Sequence, residues 1–312
     1  MSPLRKVTYF YHKGHKVISQ RSQSLIYRRI STCVLCALFA SFSISSCSDD
    51  FLTLSPETAV TSGSYFKTKE HFDMALVACY ESLRVIALTG MFMDELRADN
   101  CYFTRYHSYN MTIEAFCLFI DDENNTTWNV RKYDGVYSGI QQCNTILSRI
   151  DGARLTDAEK NPVIAETKFL RAFYYFDLVT HWGPVPLMIN EVTTAAGAFK
   201  GNSTVEEIYI QILADVTDAI ALGLPVAETF PQSGRVTMGA AKMLRAYANM
   251  SKPTRDYPAA EQDLKDIVNM NYELEDNFED FFKISNKNGK ESIFEVQYQD
   301  GGAGSITIFL IE

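Results

Sequence analysis

The stretch Ile164–Leu187, IAETKFLRAFYYFDLVTHWGPVPL, constrains the fold of this chain more than any other. Ala165, Phe169, Ala172, Phe173 and Phe176 recur at the spacing of one apolar helical face. Leu170, Tyr174, Leu178 and Val179 widen that face, so the helix is expected to lie between neighbours on more than one side. Gly183-Pro184, with Pro186 behind it, ends the helix in a compact turn, because proline has no amide to donate and cannot continue the ladder. Each large side chain buried there contributes roughly 1.5–3 kcal/mol, which puts this helix at the centre of the core. Its tyrosines and its histidine are read as core groups rather than chemistry.

Other helices follow from caps and period. Thr68 opens one that runs to about Leu88 with Phe72, Ala75, Leu76, Cys79, Tyr80 and Leu83 inward, and Gly90 ends it. Met91–Asn100 reads as a connection, and 101–127 as the least regular part. Thr127 caps a helix over 128–150, in which Gly135 and Gly139 each cost roughly 1 kcal/mol unless a neighbour packs close there. Thr156 and Glu159 have capping-box spacing for a short first turn, and Asn161-Pro162 suits the start of the central helix. Ser203 and Glu206 form another box, opening a helix to Gly223. Further helices are predicted over 237–250 and 258–270, and short strands over 272–274, 292–298 and 305–311. The fold class is therefore mostly α, a run of helical hairpins of tetratricopeptide-like spacing with a few short strands and long loops.

The amino-terminal segment differs in kind. Residues 1–30 carry seven basic side chains and no acid, and the uncharged Ser31–Ser46 is, at 16 residues, shorter than the ~20 a spanning helix needs. That pattern reads as a secretory signal over 1–46. Ser45-Ser46-Cys47 resembles the cut site of a bacterial lipoprotein, which makes Cys47 the lipidated first residue of a domain covering 47–312. Of the 29 Lys and Arg residues, seven fall in this leader, leaving 22 against 38 Asp and Glu. Such an acidic balance argues against a nucleic-acid partner. Cys79, Cys101, Cys117 and Cys143 allow three disulfide connectivities. Cys79 and Cys143 lie on apolar helical faces and are expected to be buried free thiols.

Five pieces in order carry a family resemblance: CSDDFLTLSPET, FLRAFYYFDLVTHWGPVPL, STVEEIYIQILADVTDAI with GLP after it, GRVTMGAAKMLRAYANM, and YELEDNFEDFF with KESIFEVQY. Together they resemble SusD/RagB proteins, surface lipoproteins that work with a TonB-dependent outer-membrane barrel in nutrient uptake. The resemblance runs from Cys47 to about Tyr298. Family members are usually much longer, so the chain is expected to lack their C-terminal part. The resemblance implies a tetratricopeptide-like scaffold at the cell outer membrane, lipid-anchored and surface-exposed, with a SusC-like transporter as partner.

No HExxH, GxSxG or P-loop is present, and no cofactor or metal is expected. His71 and His181 read as structural, and Asp121-Asp122-Glu123 as a solvated acidic loop rather than a calcium site. Glycan binding needs aromatic faces for sugar C–H surfaces and planar polar groups for hydroxyls. Arg97, Asp99, Asn100, Tyr102, Tyr106 and Tyr109 supply both, and in starch-binding members of the family the similar region contributes ligand residues. The leading expectation is a non-enzymatic receptor that captures an oligosaccharide or polysaccharide and delivers it to a SusC-like barrel. A peptide-binding RagB-like receptor and a scaffold that docks the transporter without a ligand site are the alternatives. A glycosidase would need a carboxylate pair across a cleft, and no sequence feature picks one.

Overall fold

A computed structural model describes residues 65–99, 101–103, 111–120, 122, 127–228, 233–298 and 308–311. The 1–46 leader and Cys47 lie outside them. Nine α-helices and two strands are formed among the described residues. In chain order the helices are α1 (Lys69–Glu81), α2 (Leu83–Met93), α3 (Met111–Leu118), α4 (Thr127–Arg149), α5 (Asp157–Trp182), α6 (Val205–Ala221), α7 (Met238–Ser251), α8 (Tyr257–Val268) and the single turn α9 (Phe278–Phe281). Consecutive members of the series α4 to α8 pack on one another, and α1 adds to the face shared by α4 and α5. This is the expected stack of helical hairpins.

The centre is α5. Phe169, Leu170, Ala172, Tyr174, Tyr175 and Leu178 are fully buried around its circumference. Gly183 ends it at φ 67°, with its amide donating to the Val179 carbonyl at 3.0 Å. The start differs from expectation. The Thr156/Glu159 capping box opens α5 itself, and Pro162 lies inside the helix. Pro162 still sits near the amino end, where one missing amide bond is offset by the packing of the remaining turns. Gly183 thus closes a helix of 26 residues that the box opened.

Two other boundaries are corrected. Gly90 does not end the helix that Thr68 opens, which breaks instead at Ser82 and resumes as α2 to Met93. The break is stabilised from outside: the Tyr174 hydroxyl donates to the Cys79 carbonyl at 2.6 Å, and the Tyr298 hydroxyl to the Tyr80 carbonyl at 2.8 Å. The box that opens α6 is Thr204/Glu207, because the Ser203 amide is already committed to the Val185 carbonyl at 2.9 Å. The segment 272–274 is not a strand. It is held by one backbone bond, Glu273 amide to Lys290 carbonyl at 3.0 Å.

The strand β1 (Phe294–Val296) pairs antiparallel with β2 (Ile308–Ile311), Phe294 facing Ile311 across a register shift. Phe294 sets its ring edge-on against Phe169 at 5.3 Å, which docks β1 on α5. The glycines of α4 are explained by close approach. A Cβ on Gly139 would lie 2.5 Å from the Tyr174 ring, and one on Gly135 2.7 Å from Val85. All four described cysteines are free, with Cys79 and Cys143 buried side by side as expected.

Candidate ligand-binding surface

The expected ligand loop begins where α2 ends. Asp94 caps α2, its amide donating to the Gly90 carbonyl at 2.7 Å, and a single 3-10 turn follows over Glu95–Arg97. The Arg97 amide donates to the Asp94 carbonyl at 3.2 Å. Its guanidinium lies 5.2 Å from the centre of the Phe116 ring, so α3 supports it from below. A second tie to α3 is the Phe103 amide, which donates to Cys117 Sγ at 3.3 Å. Between these two supports Asp99 is exposed, and the Tyr102 side chain is 67% exposed. Arg97, Asp99 and Tyr102 therefore share one supported surface segment. Asn100, Tyr106 and Tyr109 fall outside the described residues.

Behind this segment lies a buried group of charges that sequence reasoning treated only as a structural histidine. Lys132 of α4 is fully buried, and its ammonium sits 2.9 Å from Asp177 Oδ1. His181, one turn further along α5, turns Nδ1 to the Asp177 carbonyl oxygen at 2.7 Å. Its Nε2 lies 2.5 Å from Asp94 Oδ1 and 3.1 Å from Lys132 Nζ. Burial alone would lower the His181 value, but the bond to Asp94 and the charge of Asp177 outweigh it and hold the imidazole above its ordinary range. Burial likewise pushes Asp94 up, yet its bond to His181 and the nearby Lys132 bring it below the usual carboxylate value. Asp177 is raised because burial exceeds the pull of Lys132 and His181. The signal that could have found this group is a lysine on the inward side of α4, between Trp128 and Val136.

A second feature also escaped the sequence. The segment Pro186–Val192 runs as a strap along α4, read by side chains spaced at successive turns. The Tyr137 hydroxyl donates to the Pro186 carbonyl at 2.6 Å, and Asn144 to the Met188 carbonyl at 2.8 Å. Gln141 both donates to and accepts from the Val192 backbone at 3.2 Å, and Ser148 Oγ accepts the Glu191 amide at 3.2 Å. Tyr137, Gln141, Asn144 and Ser148 form a polar stripe at helical period, legible once the partner is known. An open cavity of about 420 Å³ lies under the strap, lined by Tyr133, Tyr137, Ile140, Gln141, Pro186, Met188, Val192 and Ala198. Its polar walls, Tyr137 and Gln141, are spent on the strap, so it offers apolar surface and little to hydroxyl groups. Neither this cavity nor the smaller one of about 290 Å³ beside it includes Arg97, Asp99 or Tyr102. Among the described residues no group of three His, Cys, Asp or Glu side chains is placed to hold a metal ion.

Residues 50–252 match the family model SusD-like 3, described as starch-binding associating with outer membrane. The chain belongs to the SusD-like family. A SusD-like protein of Bacteroides ovatus is 25% identical over 81% of this chain and 47% of its own length. Among solved structures, a laminarin-binding SusD-like protein is 26% identical, with a TM-score of 0.67 over 74% of this chain and 51% of that one. Surface glycan-binding protein A of Bacteroides thetaiotaomicron, solved with laminarihexaose, is 26% identical, with a TM-score of 0.64 over 74% of this chain and 50% of that one. The chain thus spans about half the length of the SusD-like proteins it matches.

Proposed function

We propose that this SusD-like chain is a non-enzymatic glycan receptor that captures an oligosaccharide on the 97–109 loop and delivers it to a SusC-like TonB-dependent transporter. Cys47 anchors it by lipid to the outer membrane, facing outward, once the 1–46 leader is removed. The observation that carries the reading is the presentation of Tyr102. A large aromatic ring stands mostly in solvent, close in sequence to Arg97 and Asp99, with α3 supporting the chain at Arg97 and at Phe103. Exposed aromatics on a supported loop are the means by which a protein meets the C–H face of a sugar, while guanidinium and carboxylate groups meet its hydroxyls. The match to a starch-binding family and the laminarihexaose complex of a relative support a glucan as the first ligand to try.

Calorimetry of the full chain with laminarihexaose and with maltohexaose tests the reading. Tyr102→Ala is expected to weaken binding by about tenfold or more, as loss of one stacking ring does, with the helical circular dichroism unchanged. Binding that survives Tyr102→Ala, or a chain that takes neither glucan but takes peptides, would sink the assignment of this loop to sugar. Labelling with radioactive palmitate, expected in the wild type and lost in Cys47→Ala, tests the anchor.

A further inference from the structure

His181 Nε2 has two neighbours of opposite chemistry. Asp94 Oδ1 at 2.5 Å can only accept, and Lys132 Nζ at 3.1 Å donates. The other ring nitrogen, Nδ1, is fixed as a donor by the Asp177 carbonyl oxygen at 2.7 Å. One proton therefore decides which partner Nε2 uses. With the proton present, imidazolium donates to Asp94. With it gone, the Nε2 lone pair faces a carboxylate at contact distance, and the stable arrangement turns Nε2 to the Lys132 ammonium and frees Asp94.

Asp94 is the residue from which the Glu95–Arg97 turn hangs. Its backbone carbonyl holds the Arg97 amide, and its own amide ends α2. Its side chain is 48% exposed, so the released carboxylate has water to turn into and the imidazole proton has a route out. We infer that His181 and Lys132 are positioning residues for the Glu95–Arg97 turn: imidazolium holds that turn, and Arg97 with it, in its ligand-ready place, and neutral imidazole releases it. The charged groups that face this nitrogen are Asp94 at the end of α2, Lys132 from α4 and Asp177 from α5, with Arg97 acting on Asp94 from the 3-10 turn. The inference rests on the loop being the ligand site; the switch itself does not.

The sign follows from the two directions of shift. His181 is raised, so the stabilisation it gives is complete below the ordinary histidine range and is lost as pH rises through its raised value. Asp94 is lowered, so its share is present above the ordinary aspartate value and is lost as pH falls through its depressed one. The turn is held between those limits.

Two readouts on the full chain separate the switch from the ligand assignment. The first needs no ligand. Trypsin cuts after Arg97, and its rate there, divided by its rate on a free peptide at the same pH, is expected to rise about tenfold between about pH 6 and about pH 8.5. The rise should vanish in His181→Gln, move to lower pH in Asp94→Asn, and persist in His71→Gln. Nitrogen-15 spectra of the imidazoles should show neutral His181 protonated on Nδ1. The second readout is laminarihexaose affinity, which should fall about tenfold over the same range. A normalised cleavage rate independent of pH, or a neutral His181 protonated on Nε2, would overturn the switch. Binding that is present but indifferent to pH would overturn its coupling to capture. If no glucan binds while cleavage still follows the His181 titration, the receptor reading fails and the switch stands.

Discussion

At the scale of single residues, the core spends its charges in pairs with fixed geometry. Arg171 of α5 meets Asp215 of α6 through two bonds of 2.8 and 2.7 Å, and the same guanidinium donates to Asn144 and to the Ile189 carbonyl. Both side chains of the pair are buried, so removing one charge leaves the other in a medium that cannot solvate it. Asp215→Asn is expected to cost about 3 kcal/mol, the lower end for a broken buried pair, because Arg171 keeps two neutral acceptors. The double change Arg171→Met with Asp215→Leu should recover most of that loss. Urea denaturation of the single and double variants checks both. The sequence did not announce this pair. A charge inside an apolar helix reads as a solvated edge until its partner is placed opposite, and Asp215 lies 44 residues away. The proposed site residues could be named from the sequence for the opposite reason: Arg97, Asp99 and Tyr102 are local, polar or aromatic, and need no distant partner to be noticed.

At the scale of elements, the helices were legible where a cap and an apolar period agree. Thr237 accepts the Ala240 amide and opens α7, and Asp256 accepts the Ala259 amide and opens α8 ahead of Pro258. Errors arose where two signals compete. Ser203-Thr204 offers two overlapping boxes, and only the bond from Ser203 to Val185 selects the second. The helix α3 was missed because MTIEAFCL is apolar on nearly every side and shows no period. Tyr272, read as strand, serves instead as a spacer: its hydroxyl meets Thr237 at 3.1 Å, and a Cβ on Gly239 would lie 2.4 Å from that hydroxyl and 2.7 Å from the ring. Gly139 gives this scale its prediction. Alanine there gains about 1 kcal/mol of helix propensity but drives a methyl into the Tyr174 ring, which is itself fixed by its bond to Cys79. Overpacking of that kind costs about 1–3 kcal/mol. Gly139→Ala should therefore lower stability on balance, by about 1 kcal/mol, whereas Gly152→Ala, with open space at its Cβ, should not. Thermal unfolding of the two variants distinguishes a glycine kept for packing from one that is merely tolerated.

At the scale of the whole molecule, the order of the hairpins sets an order of stability. In a stack of helical pairs each element is held mainly by its neighbours, so stability is a sum of interface terms and the end of the stack opens first. The centre is tied in several directions. Glu166 of α5 receives three bonds from Arg235 and one of 2.5 Å from the Tyr80 hydroxyl, which in turn accepts the Val236 amide at 3.0 Å. That knot joins α1, α5 and the entry to α7. The outer helix α8 packs chiefly on α7. Its main polar ties are Asp263 to Arg245 at 2.6 and 2.7 Å and Asp266 to Lys242, and its outward residues Tyr257 and Val268 are exposed. Hydrogen exchange should consequently show α8 amides opening at a lower free energy than those of α5. Asp263→Asn removes the carboxylate that grips Arg245 and is expected to speed exchange in α8 several-fold, about 1 kcal/mol of local opening, while leaving α5 protection unchanged. Equal loss of protection in α8 and α5 would mean that the stack unfolds as one unit. The loop that carries Arg97 and Tyr102 would then share its stability with the far end of the molecule instead of resting on α2, α3 and the His181 group alone.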